Sequence, residues 1–424
     1  RPREPAMSGI VEFVKGCVRQ VLTGGRAYWA WIALLFVMIA VGLTAYVHQA
    51  TTGLIATNMR DQVSWAFYIG NFTFLVGVAA AAVLLVIPAY VYQWKPIKEV
   101  VVLGELLAIS ALIMCLLFIS VDMGRPDRVT HMMPLIGTPN WPRSMLTWDA
   151  LVLNTYLVVN LVLVVYLLFK TYRGQPYDKR IFLPLVLLSI PVSISTHTVT
   201  AFLYNGMASR PYWNASILAP RFIASAFCSG PAVMIILFQV LRKTNKLPIK
   251  DEAIWKIAEL MSYAMFVNLF LLGAELFKEY YSATEHLLYT QYMWTGIGEH
   301  RTLVPYAWLS LAASTAAFIL FLVPRTRKNY VTLNIGALLI WAGAYIEKGM
   351  GLIIPGFTPD TLGEIYEYSP SLTEWSIAAG VFGIGFLVFT ILVKIATPIL
   401  VGTFRADGAP APVEDPHPAA APAA

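Results

Sequence analysis

Ten apolar stretches, each about the length of a membrane span, constrain this 424-residue chain more than any other feature. A hydrocarbon core about 30 Å thick takes roughly 20 apolar residues per helix. On that measure the runs fall at about 27–47, 64–92, 100–121, 148–170, 181–204, 217–241, 254–279, 303–324, 329–350 and 373–399. Charged residues make up 13 % of the chain, against about 25 % in a soluble domain. The expected fold is all-α and integral to the membrane. About 26 residues precede the first run, which is too long for a signal-peptide core and has no small-residue cleavage site after it, so it is expected to stay as a helix.

Placing the charges orients the bundle. If the N-terminus is cytoplasmic, 21 of the 30 lysines and arginines fall in the inside segments and 9 outside. The positive-inside rule then places both termini in the cytoplasm of a bacterial inner-membrane protein. Topology thus accounts for the net charge of +6 without nucleic acid. The longer outside loops, 122–147, 205–216, 280–302 and 351–372, are rich in aromatic residues, Gly and Pro and suit a docking surface. Residues 405–424 read as a disordered Pro/Ala tail.

LGELLA (103–108) in span 3 resembles IAELMS (257–262) in span 7. The same offset roughly aligns span 2 with 6, 4 with 8 and 5 with 9. The reading is two four-helix bundles in parallel orientation, spans 2–5 and 6–9, with spans 1 and 10 peripheral; chance similarity of apolar helices is the alternative. The segments are then 1–26 (cytoplasmic), 27–63 (first helix and outer loop), 64–204 (first bundle), 205–350 (second bundle), 351–404 (outer loop and last helix) and the tail.

Ionisable groups inside a bilayer cost about 3 kcal/mol each even on the lenient scale, so each needs a reason. Three converge by depth on the outer half of the first bundle: His131 after span 3, Asp149 opening span 4 and His197 in span 5. Ser193, His197, Thr200 and Tyr204 form one stripe along span 5. Trp65, Tyr68 and Asn71 of span 2 are placed to line the same cavity. An apolar pocket with an acid and an imidazole suits a quinone, whose carbonyl oxygens accept hydrogen bonds and become hydroxyls on gaining an electron and a proton. The plain alternatives are an interhelical histidine at 197, an N-cap or first-turn carboxylate at 149 and a solvated loop histidine at 131.

Glu105 and Glu259, at matching repeat positions nearer the cytoplasm, are candidates to begin proton paths, with Ser193, Thr200 and Tyr204 as candidate members of such a path. Glu275 is expected to pair with a neighbour such as Lys278, and Glu347 with Lys348 to close a helix end. In VDMGRPDRVTHMMP (121–134), Gly124 and Pro126 make a turn that Asp122 and Arg125 brace or offer to a partner, with Arg128 beside them. Of six histidines only His197 lies well inside a span, so a diheme cytochrome is not expected; three cysteines without CxxC or CxxCH argue against iron–sulfur, zinc or c-haem sites.

DMGRPDRVTH followed by SMLTWD resembles the signature of the NrfD/PsrC family, quinone-interacting membrane subunits of respiratory oxidoreductases. THTVTAFLYNGMASRPYWNASILAPRFIASAFCSGPA and IEKGMGLIIPGFTPDTLGEIYEYSP extend the match, most closely to the ten-helix branch of the Qrc, Dsr and Hmc-type complexes and alternative complex III. The resemblance implies two four-helix bundles, a quinone site near the outer face of the first, and no haem, iron–sulfur cluster or metal in the chain. It implies electron exchange with an iron–sulfur subunit on that face, then with a multihaem cytochrome c or molybdopterin-family subunit. By resemblance His131 and Asp149 contact the quinone, menaquinone rather than ubiquinone. Thr302 or Leu303 stands where the first bundle has Trp148 and Asp149, so no equivalent site is expected in the second. The rival reading is a ten-helix secondary transporter, which the parallel repeat and the outer placement of polar groups disfavour; proton translocation through Glu105 and Glu259 is an addition to the first reading.

Overall fold

The computed structural model describes residues 6–98, 100–132, 136–245 and 247–406. Most of the expected tail, and part of the stretch after His131, lie outside the described residues. Ten helices are long and apolar enough to cross a membrane: span 1 (Arg26–Thr52), span 2 (Phe67–Tyr90), span 3 (Val101–Asp122), span 4 (Met145–Tyr172), span 5 (Lys179–Asn205), span 6 (Leu218–Thr244), span 7 (Asp251–Ser282), span 8 (Val304–Leu322), span 9 (Tyr330–Phe357) and span 10 (Leu372–Val401). Each expected run became one of them. Ser144, Asp178 and Asn329 start spans 4, 5 and 9 by accepting first-turn N–H groups, and Ser371 with Glu374 forms a capping box on span 10.

Spans 2, 3, 4 and 5 pack in a ring, each on the next and span 5 back on span 2, and spans 6, 7, 8 and 9 repeat that order. The rings meet where spans 2 and 5 touch span 6. Span 10 packs on spans 1 and 3, so the peripheral pair covers one side of the first ring. Burial follows this order: 88 % of the most apolar window of span 2 is buried, against 17 % for span 1. Spans 1 and 10 cross at Gly42 and Gly380, where a side chain on either glycine would strike the other backbone. Close approach through small residues is how helices gain packing contact in lipid.

Two segments differ from expectation. Residues 6–21, read only as a cytoplasmic segment, form a helix, Ala6–Val21. The outer loop expected from 351 starts later, because span 9 is interrupted at Gly349 and resumes as the buried helix Met350–Phe357. That extension carries Gly356, whose missing side chain makes room for the Trp213 indole. Trp213 is fully buried and donates from Nε1 to the Leu352 carbonyl at 2.8 Å. Gly356→Ala is therefore expected to displace the indole and to destabilise by about 1–3 kcal/mol. An unchanged thermal unfolding midpoint in detergent would count against that packing.

Candidate functional site

Asp149 lies one turn into span 4, past the Ser144 cap, so it is neither the N-cap nor solvated: its exposure is 0 %. Its Oδ1 is 2.6 Å from the Thr200 hydroxyl of span 5, and its Oδ2 has no partner among the described residues. Thr200 Oγ1 also sits 2.8 Å from the Thr196 carbonyl, the usual back-bond of a helical threonine. One hydroxyl carries one proton. With Asp149 ionised, Thr200 donates to it; with Asp149 protonated, the acid donates to Thr200, which turns its own proton to Thr196. The pair thus accommodates both protonation states of the carboxyl without moving a helix.

His197, one turn from Thr200 on the same face, is buried, and neither ring nitrogen has a partner among the described residues. Deeper on the stripe is buried Ser193, whose neighbours include Tyr156 of span 4. Toward the nearer end of the bundle, the Tyr204 hydroxyl is 2.5 Å from Thr73 Oγ1 of span 2. Above it Trp65, Tyr204, Trp213 and Phe357 form a cluster with ring centroids 5.0 to 6.3 Å apart between contacting pairs. These rings close that end of the first ring where it meets the second. Buried polar atoms nearly always have partners. Oδ2 of Asp149 and both ring nitrogens of His197 depart from that rule among the described residues.

A family model described as polysulphide reductase, NrfD, matches residues 55–358. The chain belongs to the NrfD family. The matched stretch contains spans 2 to 9, the two rings. Among related proteins, a putative dimethyl sulfoxide reductase membrane subunit of Halobacterium salinarum is 25 % identical over 395 residues, covering 84 % of this chain and 88 % of the relative. A selenate reductase subunit of Mesobacillus selenatarsenatis is 21 % identical, covering 86 % and 93 %. An Hdr-like menaquinol oxidoreductase integral membrane subunit of Archaeoglobus fulgidus is 22 % identical, covering 87 % and 93 %.

Within this NrfD chain the other candidate residues are dispersed. His131 is exposed on the short helix Pro126–Met132, and no hydrogen bond joins its ring to Asp149 among the described residues. Tyr68 and Asn71 are bonded elsewhere than to Asp149. The Tyr68 hydroxyl donates to Gln49 of span 1 at 2.7 Å, and Gln49 donates to the Val121 carbonyl. Asn71 accepts from Tyr345 of span 9 at 2.8 Å, tying the rings together. Trp65 joins the aromatic cluster instead. In the DMGRPD turn Arg125 pairs with Asp127, bidentate at 3.0 and 2.9 Å, not with Asp122. Both partners of that pair are well exposed, as is Arg128, whereas Asp122 Oδ1 is buried and has no partner among the described residues.

The two repeat glutamates part company. Glu105 is 1 % exposed, with Oε1 unpartnered among the described residues. Glu259 is half-buried and bound by Lys256 at 3.3 Å, Tyr263 at 3.1 Å and Arg327 at 3.6 Å. The two positions that match in the repeat thus differ in burial and in partners.

The second ring holds a cluster that sequence reasoning missed. Arg221 of span 6 bridges Glu275 of span 7 and Glu347 of span 9, the latter at 2.6 Å. Asn268 donates to Glu347 at 3.4 Å, and Lys348 turns inward to the Phe222 carbonyl at 2.6 Å. Glu275 therefore pairs with Arg221 and not Lys278, which binds Glu279 at 2.7 Å, and Glu347–Lys348 is not a helix-end cap. A cavity of about 40 Å³ adjoins the cluster. Arg221 was legible as an arginine inside an apolar run; its partners, 54 and 126 residues away, were not.

Proposed function

We propose that this chain is the quinone-reactive membrane subunit of a respiratory oxidoreductase complex, with its quinone headgroup site at Asp149, Thr200 and His197. The observation that carries the reading is the buried Asp149–Thr200 pair with Asp149 Oδ2 unpartnered, and the unpartnered imidazole of His197 one turn along span 5. Oxidising a quinol to a quinone releases two protons and two electrons, and reduction takes up the same. Either direction needs a buried group that holds a proton at a quinone oxygen. Asp149 Oδ2 is free for that contact, and Thr200 stabilises the carboxyl before and after transfer. His197 offers a second hydrogen bond, and the rings of Trp65, Tyr204 and Trp213 exclude water from that end.

Menaquinone is the favoured quinone, since one relative's name specifies menaquinol. Electrons are exchanged with an iron–sulfur subunit on the face that carries His131, Arg125 and Arg128, and through it with a multihaem cytochrome c or molybdopterin-family subunit. The positive-inside count supports that face as the outer one of a bacterial cytoplasmic membrane, with both termini inside. Binding of a fluorescent quinone-analogue N-oxide to the purified complex tests the site. Losing the His197 hydrogen bond in His197→Phe is expected to weaken it by about tenfold. Parental affinity in both His197→Phe and Asp149→Leu would remove the site from spans 4 and 5.

Buried Glu105 supports proton entry from the opposite face. Tyr156 and Ser193 lie between it and Thr200, and a cavity of about 300 Å³ lined by Tyr90, Val102 and Tyr177 opens at that end. Glu105→Gln is expected to lower the proton-to-electron ratio in vesicles and to spare quinone-analogue binding. An unchanged ratio would rule Glu105 out of the route.

A further inference from the structure

The helix Ala6–Val21 divides its circumference into three strips at 100° per residue. Phe13, Gly16, Cys17 and Gln20 face the protein. The Phe13 ring lies 5.4 Å from Phe169, 5.1 Å from Tyr172 and 6.5 Å from Phe404, and Gly16 admits the edge of Phe404. Phe169 and Tyr172 are in the last turn of span 4, and Phe404 follows span 10. The helix therefore sits at that end of the bundle and not along its side.

A second strip, Ile10, Val11, Val14, Val18 and Leu22, is apolar and open; Ile10, Val14 and Val18 are each 52 % exposed. The third is polar and exposed: Glu12, Lys15 and Arg19. A soluble surface helix has no use for an open apolar strip beside its charged one, and a transmembrane helix would have no charged strip. The level of the helix is marked by its neighbours. Span 1 begins five residues after its last, at Arg26, and carries Tyr28, Trp29 and Trp31 in its first turns. The Tyr28 hydroxyl donates back to the Val21 carbonyl at 2.8 Å, and Lys394 of span 10 lies 4.9 Å over its ring. Arg173 lies over Phe169 at 5.7 Å, and Lys170 over Tyr166 at 5.9 Å. Aromatic rings paired with basic side chains at span ends are the signature of the headgroup layer.

We propose that Ala6–Val21 is an interfacial anchor that lies flat on the bilayer, its occupant being the lipid leaflet itself. Ile10, Val14, Val18 and Leu22 enter the acyl-chain boundary, Lys15 and Arg19 stand at phosphate level with Glu12 offsetting one charge, and Phe13 fixes the rotation. Span 1 and the ends of spans 4 and 10 are thereby held to one depth.

Spin labels at positions 14, 15, 18 and 19, on a Cys17→Ser background in the full complex, read this directly in phosphatidylcholine/phosphatidylglycerol vesicles. Cys115 and Cys228 are fully buried and stay unlabelled. Labels at 14 and 18 are expected to relax with oxygen and resist a water-soluble nickel chelate, at a depth of about 5–10 Å, whereas labels at 15 and 19 do the reverse. Chelate access at all four positions would overturn the proposal. Exclusion of both reagents from 14 and 18 would overturn it too, because it would put another protein subunit on the strip.

Discussion

Replacing Asp149 by Asn is expected to abolish quinol-linked electron transfer while the complex still assembles. The amide has nearly the shape of the carboxyl and keeps a hydrogen bond to Thr200, so the contact between spans 4 and 5 survives. It cannot take or release a proton at the quinone oxygen. Positioned acid–base groups contribute about 100- to 10,000-fold to rate, and the loss is expected in that range. The measurement is turnover of a soluble quinol analogue against an artificial acceptor, with size-exclusion profiles to verify assembly. A rate within twofold of the parent would dismiss Asp149 as the proton-holding group. Thr200→Val supplies a graded control. It removes the stabilising donor but leaves the carboxyl, so it should slow turnover less than Asp149→Asn.

Arg221→Leu is expected to be the most damaging single change for stability. Glu275 and Glu347 both face its guanidinium, and the three side chains are 11 to 16 % exposed. Removing one partner of a buried charge group costs about 3–5 kcal/mol, because the remaining charge is stranded. Here two carboxylates would be stranded at once, with Lys348 committed to the Phe222 carbonyl. The variant should be recovered at low yield or unfold at lower temperature in detergent. Arg221→Leu combined with Glu275→Leu and Glu347→Met should recover much of the loss, since apolar replacement of a whole buried charge group is often neutral. If the single variant melts like the parent, the cluster contributes little to holding spans 6, 7 and 9 together.

The spans were legible because length and hydropathy are local properties of the chain, and the parallel order of the two rings followed from the offset between LGELLA and IAELMS. Asp149 is legible as a carboxyl that opens span 4, and Thr200 as part of the polar stripe with Ser193, His197 and Tyr204 on span 5. Side-chain pairing was harder to read. Helical spacing tells which residues share a face, not which helix stands opposite. Trp65, Tyr68 and Asn71 were grouped on span 2, yet three different neighbours, the aromatic cluster, span 1 and span 9, claim them. Gln49, the partner of Tyr68, is a lone amide near the end of span 1, and its sequence context does not mark a partner on span 2. Glu105 and Glu259 are equivalent in the repeat but not in depth, since Lys256 and Arg327 stand beside only the second. His131 is exposed on the short helix Pro126–Met132, whose seven residues are too few for a periodicity to mark.

The placement of spans 1 and 10 has a consequence for access. They screen span 3 and, with the second ring, enclose span 2, so neither wall of the first ring is open to lipid on those sides. Spans 4 and 5 remain, with Leu151, Val158, Ile194 and Phe202 turned outward. Asp149 and Thr200 sit on these two helices. With the headgroup bound at Asp149 as proposed, spans 4 and 5 are the side of the first ring from which a molecule in the acyl chains would approach it, without crossing bulk water.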